Sequence, residues 1–310
     1  RKTTRTTSTS SGAISRTTLD ATYSRNTTPC LPIPPAPEST HTEPFVFVRV
    51  TGALDLIDLG LLGRTAIITG GASGLGAETA RYLVREGVRV LIADVHDEAI
   101  VDMSAELRDL GGEAEGVRVD VCEFSDCERM AKYALDTFGT IDIVVACAGV
   151  GGGNKYFLET RPEEWDRTLD VNIRGVLNTN RATAQFIVNA GRGGSIINIA
   201  SEAGKVGERK IAVYAASKGA VISFSKAFAL EMGRYKVRVN AVCPGVTRTP
   251  MTERFGGPGD EMYVAASKLY PMGRLGEPDD IAAMITFLAS DQSTWITGQA
   301  ISVNGGFGRS

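Results

Sequence analysis

Arg64-Thr65-Ala66-Ile67-Ile68-Thr69 runs directly into Gly70-Gly71-Ala72-Ser73-Gly74-Leu75-Gly76, and this junction decides the fold. The first six residues are apolar and β-branched, the pattern of a buried strand. From Ala77 to Glu86 the pattern turns helical. A strand, a glycine turn and a helix place the free N–H groups of a helix N-terminus where a pyrophosphate can be received. Glycine is needed where the chain turns sharply, approaches phosphate closely, or lets the helix settle on the sheet. Gly70, Gly74 and Gly76 are spaced Gly-x-x-x-Gly-x-Gly, not in the commoner Gly-x-Gly-x-x-Gly order.

The next apolar run, Val88-Arg89-Val90-Leu91-Ile92-Ala93, ends at Asp94. A carboxylate about twenty residues past the glycines can accept hydrogen bonds from both hydroxyls of an adenosine ribose. It would also repel a 2′-phosphate, and neither Ser73 nor Val95 carries positive charge to offset that. The expectation is therefore NAD in preference to NADP. The plainer alternative is an aspartate that only caps a turn.

Far downstream lies Val213-Tyr214-Ala215-Ala216-Ser217-Lys218-Gly219. Tyr214 and Lys218, four residues apart on a helix, share one face, so an ammonium lies one turn from a phenol. Nearby positive charge favours phenolate and is expected to lower the tyrosine pKa. A tyrosine titrating near ~10 needs a drop of ~2–3 units to work as an acid/base near neutrality. Alone, Tyr-x-x-x-Lys is a weak signal.

With these motifs in order, the chain resembles the short-chain dehydrogenase/reductase family from about residue 60 to 310. Thr69-Gly70 through Gly76 is similar to that family's cofactor turn, which includes Ser73 and Leu75. Asp120-Val121 matches the aspartate said to reach the adenine amine, and Ala148-Gly149 the pair beside the cofactor. Ala146 and Cys147 stand where two asparagines are usual. Asn172 matches the family's helix asparagine and Ser201 its catalytic serine; with Tyr214 and Lys218 they complete a tetrad. Pro244-Gly245 and Thr249 match the turn and hydroxyl that bind the nicotinamide carboxamide, with Thr247 in place of the usual Ile or Val.

The resemblance implies a division of labour. Tyr214 would be base in oxidation and acid in reduction. Ser201 would hydrogen-bond the same substrate oxygen and stabilise developing charge. Lys218 would hold the nicotinamide ribose, and Asn172 would position a water linking Lys218 to solvent. The family also implies a homotetramer, built partly through the helix of Tyr214 and the last strand.

Composition fits this reading. The 310 residues are 43% hydrophobic with a net charge of −3, against the basic face of a nucleic-acid-binding protein. No apolar run approaches the ~18–20 residues of a membrane helix. Five cysteines (Cys30, Cys122, Cys127, Cys147, Cys243) lack metal-ligand spacing, and their odd number suits reduced thiols. No metal is expected.

Residues 1–58 differ from the rest. Residues 1–28 hold fifteen Ser or Thr and five basic residues against one acid, and 29–44 hold six prolines. Such a stretch is expected to be a disordered extension. Its composition is that of a transit peptide as well, so a cytoplasmic protein is the first expectation and a mitochondrial or plastid one the alternative. Phe45-Val46-Phe47-Val48-Arg49-Val50 has a strand-like pattern.

For residues 59–310 the prediction is one α/β domain, a doubly wound parallel sheet of the Rossmann type. Apolar runs at about 64–69, 88–93, 115–119, 141–147, 195–200, 236–242 and 298–303 give seven strands joined by helical crossovers. Residues 250–276 read as a lid over cofactor and substrate. Glu202, Arg209 and Lys210, just before Tyr214, either face the pocket or are solvated. The expected activity is NAD-dependent interconversion of a secondary alcohol and a ketone on a small molecule, a 3-hydroxyacyl thioester or a cyclic alcohol. The alternatives are an NADPH-linked 3-oxoacyl-thioester reductase and a non-catalytic NAD-sensing module.

Overall fold

The computed structural model describes residues 58–308. The predicted extension, but for its last residue Asp58, and the strand-like run Phe45 to Val50 lie outside the described residues. The elements begin with β1 (Thr65–Thr69), α1 (Gly74–Arg85), β2 (Arg89–Asp94), α2 (Asp97–Asp109), β3 (Ala114–Arg118) and α3 (Phe124–Phe138). They continue with β4 (Ile143–Ala146), α4 (Asp166–Leu169), α5 (Gly175–Ala190), β5 (Gly194–Ile199), α6 (Ala203–Val206) and α7 (Ala212–Met232). The last are β6 (Val237–Pro244), α8 (Glu261–Ser267), α9 (Pro278–Ala289) and β7 (Ala300–Val303).

The seven strands form one parallel sheet in the order β3-β2-β1-β4-β5-β6-β7. All five residues of β1 are buried, as a central strand covered on both faces must be. Successive residues face opposite sides: Ile68 enters the core with Leu83 of α1 and Ile285 of α9, while Ile67 enters the one with Met130 of α3 and Ile187 of α5. Burying a Leu- or Ile-sized side chain stabilises by about 1.5–3 kcal/mol, so these two layers hold the sheet.

The winding reverses between β1 and β4. Thr69 lies beside Ala146 in the parallel register, and the Thr69 hydroxyl accepts from the Ala148 amide at 3.3 Å. A crevice opens at such a reversal, beyond the carboxyl ends of the strands. The predicted strands all appear, with β6 running two residues further than expected, to Pro244. Proline is tolerated there because the strand ends with it.

Candidate active site

The glycine turn is shaped by crowding. A Cβ on Gly70 would lie 2.8 Å from the Ala148 Cα, and one on Gly76 would overlap the Gly70 carbonyl oxygen. Gly70 and Gly74 have φ of +64° and +52°, which side-chain-bearing residues rarely adopt. The first turn of α1 holds no acid, and Ser73 makes no side-chain cap bond. Its N–H groups therefore point outward without a protein acceptor, the arrangement that suits a phosphate.

This turn forms one wall of a cavity of about 610 Å³ along the carboxyl ends of the strands. Gly70, Ser73, Gly74 and Leu75 line it, and Gly76 packs behind them. Asp94, Asp120 and Val121 line it where β2 and β3 end, Ala148 and Gly149 where β4 ends, and Ser201, Tyr214 and Lys218 beyond β5 and on α7, with Pro244, Gly245, Thr247 and Thr249 in the same wall. Of the predicted site residues, Asn172 and Gly76 alone do not line the cavity.

Asp94 is held from three sides. One oxygen accepts from the Ala72 amide at 3.2 Å, the other from the Val95 amide at 2.8 Å and from Nδ1 of His96 at 3.0 Å. Asp120 accepts from the Cys122 amide at 2.9 Å. Thr249 starts a short 3₁₀ helix, Pro250–Phe255, whose Thr252 hydroxyl accepts from the Thr249 amide at 2.9 Å.

Asn172 is fully buried in a single π-helical turn, Asp170–Arg174, between α4 and α5. Its amide oxygen accepts from Val150 N at 2.8 Å, and its nitrogen donates to Val150 O at 3.0 Å and to the Ser217 hydroxyl at 3.1 Å. All three bonds pin the Gly149-Val150 loop against α7. A π-turn inside a helix commonly marks such a site.

Tyr214 and Lys218 share a face of α7, with Nζ 5.8 Å from the ring centroid. The expectation that the lysine lowers the phenol pKa is corrected here. Burial dominates and raises the Tyr214 pKa; a hydrogen bond with Ser201 pulls it down, and the charge of Glu208 raises it further. Lys218 is itself buried, donating to the Ile199 carbonyl at 2.9 Å, and desolvation lowers it to about 8. The Lys218 ammonium, 5.8 Å from the ring centroid, does not offset the desolvation of the phenol.

The segment after β6 has its own small core. Tyr263, Tyr270 and Leu275 are buried together, and Tyr270 stacks on Phe307 with centroids 5.2 Å apart. Met251 and Thr252 reach the cavity from this segment. Glu202 does not face the cavity mouth: it is buried, accepts from the Ser302 hydroxyl at 2.8 Å, and lies against Gly308. Arg209 and Lys210 are exposed, with Lys210 Nζ 5.2 Å from the centroid of Tyr156.

Sequence reasoning missed His96, Arg118, Cys122, Cys147, Val150, Arg167 and Met251, all in the cavity wall. His96 and Arg118 could have been found, since each sits two residues from a predicted contact. Among the described residues no group of three His, Cys, Asp or Glu could hold a metal, and no helix is long and apolar enough to cross a membrane.

A family profile described as Enoyl-(Acyl carrier protein) reductase matches residues 70–308. A 3-oxoacyl-(acyl-carrier-protein) reductase of Thermotoga maritima is 35% identical over 246 residues, covering 79% of this chain and 98% of that protein. A cyclohexanol dehydrogenase of an Acinetobacter species is 35% identical over 244 residues, covering 79% and 94%. The crystal structure of an actinorhodin polyketide ketoreductase with NADPH superposes with a TM-score of 0.76 at 33% identity, covering 80% of this chain and 98% of the other.

Proposed function

The chain belongs to the short-chain dehydrogenase/reductase family, and we propose that it uses NAD to interconvert a secondary alcohol and its ketone. As a member it is an oxidoreductase acting at CH–OH and keto carbons with a nicotinamide cofactor. One observation carries the finer reading: a single cavity is lined by Asp94 where β2 ends and by Ser201, Tyr214 and Lys218 beyond β5 and on α7.

The cradle fits a dinucleotide. Side chains are excluded where the turn meets Ala148, and the helix N-terminus offers free donors. Gly70, Ser73, Gly74 and Leu75 would hold the pyrophosphate, Asp94 the adenosine ribose, and Asp120 with Val121 the adenine. Ala148, Gly149, Pro244, Gly245, Thr247 and Thr249 would flank the nicotinamide half. The cofactor, when bound, supplies hydride donation and acceptance.

The protein handles the proton. Tyr214 moves it to or from the substrate oxygen, and Ser201 donates to the same oxygen as charge builds there. With its pKa raised by burial, the phenol keeps its proton at neutral pH and is set up as the acid of reduction. Lys218, close beneath Gly149, would take the nicotinamide ribose and favour phenolate once that ligand is in place. Asn172 fixes the loop over which the ribose would lie and keeps Ser217 in register.

For the substrate we propose a 3-hydroxyacyl thioester, the reduced counterpart of the 3-oxoacyl compound named for one relative above, or a cyclic alcohol like the one named for the other. Half-exposed Met251 gives that end of the cavity an apolar wall. A homotetramer remains the proposed assembly, supported by Leu230 on α7 and Trp295 just before β7, 87% and 97% exposed in the single chain. A second reading, an NADPH-linked 3-oxoacyl reductase, is favoured by Arg118 and His96 in the adenosine wall.

The test is reduced-nicotinamide absorbance for the full chain with NAD or NADP and a panel of cyclic alcohols, diols and hydroxyacyl thioesters, with Tyr214→Phe alongside. Turnover with NAD that is lost in the variant supports the proposal. Turnover confined to NADP, or equal turnover in the variant, sinks it.

A further inference from the structure

We propose that His96 and Arg118 set how strictly the adenosine site rejects a 2′-phosphate, so that this rejection relaxes as His96 gains a proton. The inference rests on the reading of Asp94 as the ribose-binding carboxylate and adds two residues to it.

Asp94 is the sole carboxylate at the end of β2, and an ionised carboxylate can only accept hydrogen bonds. The His96 nitrogen 3.0 Å from it is therefore the donor. His96 is 78% exposed at its side chain, yet it lines the cavity and starts α2 without capping it. Nothing in the helix requires the imidazole there, and its contact points at the carboxylate instead. Neutral, the ring leaves the pair with a net charge of −1; protonated, it brings the pair to zero.

The second cation comes from the neighbouring strand. Arg118 closes β3 directly beside Asp94 in the parallel register, lines the same cavity, and is 59% exposed. Its Nε lies 3.7 Å from Asp97 Oδ2, which leaves the rest of the guanidinium fork open. The charged groups around the imidazole are thus Asp94 from β2, Asp97 and Glu98 at the start of α2, and Arg118 and Asp120 from the end of β3. The glycine turn contributes only the uncharged Ser73.

This balance differs from what Asp94 alone would impose. An isolated carboxylate beside a dianionic phosphate repels it at every pH at which both are ionised. With Arg118 always charged, the repulsion is blunted throughout, and a proton gained by His96 blunts it further. Both ligands carry the same pyrophosphate, so what either cation does for it cancels in the ratio of their affinities. The effect read here is one of discrimination: that ratio moves.

The experiment needs no substrate. Dissociation constants of ADP-ribose and 2′-phospho-ADP-ribose are measured calorimetrically with the full chain, at about pH 8 and about pH 5.5, for wild type, His96→Gln and Arg118→Gln. Both side chains are largely exposed, and thermal melts confirm that the variants fold. In wild type the preference for the unphosphorylated ligand shrinks about tenfold on acidification. In His96→Gln it shrinks only about threefold, the part due to the phosphate's own ionisation near pH 6. Arg118→Gln raises the preference about threefold at both pH values. The same pH response in His96→Gln as in wild type, or an unchanged ratio in Arg118→Gln, overturns the proposal. A wild-type preference for the phosphorylated ligand at pH 8 would instead sink the NAD reading, while the difference between wild type and His96→Gln would still judge the role of His96.

Discussion

Lys218 donates from Nζ to the Ile199 carbonyl oxygen at 2.9 Å, tying the middle of α7 to the last residue of β5. That bond holds an ammonium that is almost wholly buried, and desolvation lowers its pKa to about 8. Lys218→Met should therefore stabilise the cofactor-free protein near neutral pH. A drop of more than two units is worth on the order of 2–3 kcal/mol, less about 1 kcal/mol for the lost bond. The sign follows from proton binding. Below pH 8 the lysine is charged in both states and its burial costs the folded state in full. Between pH 8 and roughly 10.4 the folded state has shed the proton while the unfolded chain keeps it, so wild-type stability climbs with pH. Urea unfolding at neutral pH and near pH 10 should show the variant's advantage shrinking; equal destabilisation at both would refute the buried ammonium.

Tyr214→Phe should keep cofactor binding and lose turnover on the order of 10²–10⁴-fold, the usual weight of a positioned acid/base. The raised phenol pKa sets the direction of the pH response. Reduction should hold steady through neutral pH and fall as the phenol ionises, while oxidation should keep rising into the alkaline range. Initial rates in both directions across that range test it, and an oxidation rate that is flat with pH would remove Tyr214 as the base.

Asn172→Ala should cost stability and rate together. It strips partners from both half-buried Val150 backbone groups and from the buried Ser217 hydroxyl, which keeps its bond to the Tyr214 carbonyl. Orphaned buried groups cost about 1–3 kcal/mol each, although the loop can move to recover part of this. Ser217→Ala breaks just one of those bonds and should be milder. Thermal melts compare the two, and an Asn172→Ala protein as stable as wild type would mean that the loop is held by other contacts.

Much of this was legible in the chain because it is local. The β1 run and its glycines specify a strand, a turn and a helix within about twenty residues, and they are found in that order, with α1 starting at Gly74, three residues before the helical pattern at Ala77. What could not be read depends on distance in space. The spacing of Tyr214 and Lys218 gives their shared face, but the sign of the tyrosine shift depends on how deeply both are buried, which strands remote in sequence decide. The π-turn at Asp170–Arg174 has no marker in its residues. Arg118 looks like a strand-end arginine until the register places it next to Asp94.

Gly204 carries the last prediction, because it lets α6 lie directly on α7. A Cβ there would sit 2.6 Å from the Lys218 carbonyl carbon and 2.7 Å from Gly219 N, both backbone atoms that cannot yield by rotating a side chain. The Gly204 amide also donates to the Ser201 carbonyl at 3.0 Å. Gly204→Ala must therefore push the Ser201 turn away from α7, at a cost of about 1–3 kcal/mol for the overpacking. The glycine turn and Asp94 are carried by β1, α1 and β2 rather than by α6 or α7 and should keep their geometry. Affinity for ADP-ribose should stay within about twofold of wild type, while kcat falls about tenfold or more as Ser201 and Tyr214 lose their alignment. Calorimetry with ADP-ribose beside steady-state turnover separates the two effects. A variant with unchanged kcat would show that the α6–α7 contact does not position the serine.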